Sequence, residues 1–164
     1  MPIYMNFEGI PGSVTSVGYD KWIELQSCST GLSRKVATTV GAAGERESGQ
    51  PNFADITITK EQDNSTGKLL KECVSNTRGK KVQIDFVTTD RNRYAPVMKI
   101  ELVGVIITSQ ALSGHGETNH GPILENYTLS FTKIIFTPTT RNPDGTATSN
   151  PERVGYDLAT AKPF

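Results

Sequence analysis

Between Ala54 and Ser75, in "ADITITKEQDNSTGKLLKECVS", the spacing of the apolar residues changes once. Ala54, Ile56 and Ile58 alternate with Asp55, Thr57 and Thr59, the two-residue period of a half-buried strand. Leu69, Leu70, Cys73 and Val74 then recur at the offsets that share one face of a helix. Asp63, Asn64 and Ser65 are all competent N-caps, and Gly79 follows at a C-terminal stop, so a helix is expected over 65–77. No other stretch reads as helix this clearly. Short alternating runs fill the rest, which restricts the chain to a mostly β fold with one helix as a cap.

The runs are separated by turn formers. "IYMNF" (3–7) stops at "EGIPGS", and "KWIELQSCS" (21–29) and "FADITIT" (53–59) follow. "VQIDFVTTD" (82–90) places Val82, Ile84 and Phe86 inward, with Gln83 and Asp85 outward. "VMKIELVGVIITSQ" (97–110) is long for one strand, and Gly104 marks a bulge or bend within it. "ILENYTLSFTKIIFT" (123–137) changes phase near Phe131 to Ile135. A polar loop, "PTTRNPDGTATSNP", leads to a last strand, "RVGYDL" (153–158). This succession predicts a compact antiparallel β-barrel of two sheets with one flanking helix.

The chain of 164 residues is expected to form one domain, 1–164, burying roughly 70% of its unfolded surface. Hydrophobic residues make up only 35%, beside 15 Gly and 9 Pro, which also suits a protein that completes its core by assembling. Lys+Arg and Asp+Glu are both 17, so no basic field steers the chain to nucleic acid or anionic lipid. The N-terminus has neither a basic n-region nor a long apolar stretch, and Glu8 interrupts it; neither a signal peptide nor a membrane anchor is expected.

Residues 33–51, "SRKVATTVGAAGERESGQP", hold few large apolar groups and cannot feed a core. Unstructured stretches of this length are uncommon unless functional or disordered. Fully extended, this one reaches roughly 60 Å. It reads either as a surface loop or as an arm that orders on a neighbouring subunit.

Motifs for chemistry are missing. The histidines, His115 and His120, flank Glu117 in the Gly-bounded "SGHGETNHGP", which offers no geometry to converge metal ligands. There is no G-x-S-x-G elbow, P-loop, dinucleotide fingerprint or H-E-x-x-H. Glu24 and Asp85 would serve as an acid–base pair only if their strands lay side by side. Cys28 and Cys73 form no C-x-x-C and read as buried thiols, with a disulfide as the alternative. No cofactor or metal is expected, and the chain reads as a binding or structural protein, not an enzyme. A monomeric β-sandwich holding a sugar or ion in the "SGHGETNHGP" loops is one such reading.

"IYMNFEGIPG", "GYDKWIELQSCSTGLSR", "ITITKEQDNSTGKLLKE", "LSFTKIIFTPT" and "VGYDLATAK" occur in an order and spacing that resemble the haemolysin co-regulated protein family. That family forms the tube of the bacterial type VI secretion system. The resemblance implies hexameric rings, stacked into a tube that a contracting sheath expels behind a spike, with small effector proteins in the channel. It implies synthesis in the bacterial cytoplasm and export without a signal peptide. Contractile phage tail tubes share the architecture and are the nearest rival reading. The 33–51 stretch then corresponds to the family's extended loop against an adjacent subunit, with Arg34, Lys35, Val36, Val40, Glu45, Arg46 and Glu47 as interface residues. Ser27, Ser29, Thr57 and Thr59 are the candidates for the channel wall and effector contact. "PTTRNPDGTATSNPER" is longer than many family versions, and the chain stops soon after its final strand, so no appended toxic domain is expected.

Overall fold

In a computed structural model, all of residues 1–164 are described except 39, 42–45, 76–77, 91–92, 117–120 and 149–150. The architecture turns on one strand. Strand β8, Arg93–Ser113, runs for 21 residues and belongs to two sheets. Its first half pairs antiparallel with β7 (Lys80–Asp90) on one side and β10 (Lys133–Pro138) on the other. Its second half pairs with β9 (Leu124–Ser130). The change of sheet falls at Gly104, the position expected to bend.

The bend needs glycine twice over. Gly104 has φ +69, where a side chain is strained, and a Cβ there would collide with Thr132 Oγ1. A Cβ on Gly79 would lie 2.6 Å from the Gly104 backbone. Gly79 is therefore a packing residue at the bend rather than a helix stop.

Around β8 the first sheet runs β12 (Lys162–Pro163), β11 (Val154–Asp157), β10, β8, β7, β1 (Ile3–Phe7) and β2 (Ile23–Leu25). The second runs β8, β9, β6 (Ile56–Glu61) and β3 (Ser27–Ser29). The 21–29 run expected as one strand is thus two, in different sheets. They part at Gln26, whose N–H donates to Thr59 O at 2.8 Å and whose Nε2 donates to Glu61 Oε1 at 2.6 Å. That crossing joins the sheets on the side opposite the β8 bend. The 123–137 run is also two strands, broken at Phe131–Thr132, where its alternation changes phase.

The core lies between the sheets. Met5, Ile84, Ile100, Leu102 and Ile134 face Ile56, Ile58, Ile107, Tyr127 and Leu129, all buried. Each such side chain contributes about 1.5–3 kcal/mol relative to exposure. The helix α1, Thr66–Val74, closes the layer with Leu69, which is fully buried. It is shorter than the expected 65–77. Ser75 takes an extended conformation (φ −92, ψ 138) and ends it, and residues 76–77 lie outside the described residues. Val74, placed on the apolar face by its spacing, is instead 84% exposed.

A smaller apolar cluster sits on the outer face of the first sheet, where residues 11–22 fold over it. Tyr4, Val14, Tyr19 and Val87 are buried there with Trp22 against them. Asp85 is on the outer face as expected, but the strap covers it, so it is buried and not the exposed position its alternation suggests. Tyr19 OH donates to its Oδ2 at 3.2 Å and Gln83 Nε2 to its Oδ1 at 3.0 Å. Burial raises the Asp85 carboxyl above its ordinary value, more than these donors and nearby Lys99 lower it.

Candidate functional site

The outward face of the second sheet gathers the four residues expected at a channel wall. Ser27 lies opposite Thr59, Thr59 opposite Asn126, and Asn126 opposite Ala111. The next row is Ser29, Thr57, Thr128 and Ser109. Ser27, Ser29 and Thr57 are exposed; Thr59 is half-buried, its Oγ1 donating to Asn126 Oδ1 at 2.6 Å. Neither row contains a charged side chain.

Ser109 reaches this face through a bulge. The β8–β9 register shifts between Ile107 and Ser109, leaving Thr108 as the extra residue with its Oγ1 on Thr128 O at 3.2 Å. Ile107 is inward before the shift, and Gln110 is inward after it, opposite Tyr127. Sequence reasoning missed Asn126, Thr128 and Ser109 as members of the surface. The signal was present in "ENYTLS", whose alternation sets Asn126 and Thr128 on one side and Tyr127 and Leu129 on the other.

Behind this face, the inward positions turn polar near α1. Lys60 and Glu125 are both fully buried and joined at 2.9 Å. Lys60 Nζ also meets Asp63 Oδ1 at 2.9 Å and donates to Glu61 O at 2.7 Å. Asp63 Oδ1 accepts the Ser65 N–H at 2.9 Å, so one carboxylate holds both the buried lysine and the first turn of α1. Tyr127 OH donates to Glu125 Oε2 at 3.3 Å; burial, then the carboxylate, pushes its ionisation above the ordinary phenol range. Cys28 also points inward, and burial raises its thiol to about 11.

The second sheet is open at both ends. Among the described residues β3 pairs only with β6, and the second half of β8 pairs only with β9. Ile106–Ser113 thus presents an unpaired edge free of proline and charge, with Ile106 and Leu112 exposed beside it.

The 33–51 stretch is not an irregular loop. β4 (Leu32–Thr38) and β5 (Arg46–Phe53) form an antiparallel hairpin whose strands, among the described residues, pair only with each other. Doubling back shortens its reach from the expected 60 Å to about 24 Å. Its root is fixed by Ala54 N–H to Gly31 O at 2.9 Å and by Phe53 stacked on Tyr156, ring centroids 5.1 Å apart. Arg34, Lys35 and Val36 are exposed on β4, and Val40 at the tip is fully exposed. Arg46 and Glu47 lie on β5 opposite Thr38 and Ala37; Glu45 lies outside the described residues.

Among the described residues the candidate chemical sites do not assemble. Glu24 and Asp85 both face Tyr4, so β1 separates the two strands that an acid–base pair would need side by side. His115 is exposed, while Glu117 and His120 lie outside the described residues. Among the described residues no three His, Cys, Asp or Glu side chains converge as metal ligands, and both cysteines are free thiols. No helix there is long and apolar enough to cross a membrane.

These features define a class: two antiparallel sheets joined by one sharply bent strand into an open barrel, with one capping helix, a projecting hairpin and a polar sheet face whose two central rows carry no charge. The particular family follows from comparison. The chain belongs to the Hcp family of type VI secretion system effectors, whose model matches residues 4–137. These are type VI secretion tube proteins, a structural and not an enzymatic family. Solved structures share the fold. A type six secretion system protein superposes with TM-score 0.90 at 18% identity, covering 99% of both chains. Hcp1 from Salmonella typhimurium gives 0.74 at 18% identity, covering 99% of this chain and 98% of its own. A type VI secretion system effector from Yersinia pestis gives 0.68 at 19% identity, covering 94% and 98%. Comparison with curated proteins finds no match.

Proposed function

We propose that the chain is the ring subunit of a type VI secretion tube. Six copies close head to tail, rings stack, and the rows of Ser27, Ser29, Thr57, Thr59, Asn126, Thr128 and Ser109 line the channel. One observation carries the reading: the sheet bearing this polar face is open at both ends. The ends differ, three residues of β3 on one side and eight of β8 on the other. Joining unlike edges is a heterologous contact, which generates a ring when the rotation closes. It also removes an edge that would otherwise template aggregation.

The hairpin supports the same reading. A two-stranded hairpin is marginally stable alone, and this one carries exposed Leu32, Val36 and Val40. Packing against the next copy or the next ring covers it, with Arg34, Lys35, Glu45, Arg46 and Glu47 setting register at the rim. Such rim charges contribute little energy and mainly choose the partner's orientation. The two hydroxylated rows offer hydrogen bonds to a folded passenger, and the charge nearest them on β6 is the acidic Glu61, which suits small effector proteins and not a polyanion. The sheath and the spike are the remaining partners, and the tube leaves the bacterial cytoplasm through the type VI apparatus.

Sedimentation velocity of the purified chain at tens of micromolar tests this. The reading predicts a species of about 107 kDa, six times the 17.8 kDa chain, with ring-shaped particles in negative stain. A monomer without rings refutes it.

A further inference from the structure

Two buried polar atoms behind the channel face lack a protein partner: Gln110 Nε2 and Glu125 Oε1. They are complementary, an amide donor and a carboxylate acceptor. Gln110 lies opposite Tyr127, and Leu112 opposite Glu125, so the two side chains share the inward face of neighbouring strands one diagonal step apart. Positions so related are roughly 7–8 Å apart, and two long side chains can span that gap with one small molecule between them.

We infer that an ordered water molecule is bound at this point, accepting a hydrogen bond from Gln110 Nε2 and donating one to Glu125 Oε1. The oxygen of Tyr127, whose own hydrogen is directed to Glu125 Oε2, supplies an acceptor for its second hydrogen. Two to four polar partners are what a buried water requires. The chemistry selects against ions. The charge of Glu125 is offset by Lys60 Nζ at 2.9 Å, and the amide N–H groups repel a second cation. The carboxylate repels an anion. The water joins the open-edge strand Ile106–Ser113 to the network of Lys60, Glu125 and Asp63 that seats α1, holding Gln110 inward so that Ser109 and Ala111 face out. This inference is independent of the assembly reading, because every group belongs to one copy.

Crystal structures of the chain and of Gln110→Met at about 1.5 Å test it. The native structure should show one solvent peak within hydrogen-bond distance, roughly 2.7–3.2 Å, of both Gln110 Nε2 and Glu125 Oε1. The variant should lose that peak while Lys60 and Glu125 stay joined. A direct Gln110–Glu125 hydrogen bond, or no peak in the native crystal, overturns the inference. In solution, the Gln110 side-chain amide of the native protein should show cross-relaxation to a long-lived water. Contact only with rapidly exchanging solvent contradicts it.

Discussion

Replacing Lys60 by Met keeps most of the length of the side chain and removes its charge at a fully buried site. Lys60 is fully buried, and its Nζ serves Glu125 and Asp63 at 2.9 Å each and Glu61 O at 2.7 Å. In the variant Glu125, also fully buried, is left without its counterion, and Tyr127 OH is the protein donor that remains to it. Breaking a buried pair from one side costs about 3–5 kcal/mol, because the remaining ion is desolvated and uncompensated. For a chain of this length each kcal/mol moves Tm by about 2–4 °C, giving a drop of roughly 6–20 °C. The companion variant Lys60→Met/Glu125→Leu removes both charges. Apolar replacement of a whole buried pair is often neutral or stabilising, so most of the loss should return. Urea unfolding at one fixed protein concentration measures all four corners of the cycle, holding constant any contribution from assembly. A Lys60→Met cost below about 1 kcal/mol, or a double variant no more stable than the single one, refutes the claim that this pair seats the helix.

Asp85→Asn tests the strap: the raised carboxyl binds its proton more tightly folded than unfolded, so its contribution favours folding at low pH and is lost as pH rises through the folded value. The variant should melt higher at pH 7 and show a flatter pH dependence above pH 4; an unchanged profile contradicts the assignment. Cys28, raised from 9.0 to about 11, should alkylate at pH 8 about 100-fold more slowly in the native protein than in urea. Equal rates would show that the thiol is not held in the core. Deleting residues 37–49 should leave the barrel's far-ultraviolet spectrum β-rich while weakening rings or their stacking. Unchanged assembly counts against the hairpin as an intersubunit arm.

Much of the fold was legible where local pattern and tertiary environment agree. The alternation of Ile56 and Ile58 with Thr57 and Thr59 gave both the strand and its two faces, and a glycine inside the apolar run gave the bend at Gly104. Other features depend on distant partners. "IELQSCS" keeps its alternation through Gln26, so nothing local shows that the chain changes sheets there; Thr59 and Glu61 receive the crossing. Lys60 continues the inward parity of Ile56 and Ile58, but its charge reads as a surface residue, and its partner Glu125 lies 65 residues away. Asp85 is buried by a strap from the other end of the chain. The hairpin at 33–51 was illegible for a different reason. Its described side chains on β4 are exposed regardless of alternation, so no apolar period betrays the strands.

Cryo-electron microscopy of the purified protein tests the central claim most directly, because it shows which sheet face lines any channel. The account predicts a six-fold ring in which the edge of Ile106–Ser113 meets β3 of the next copy and Ser29, Thr57, Thr128 and Ser109 border the channel. An isolated molecule, or a ring with these rows on its outer surface, would contradict it.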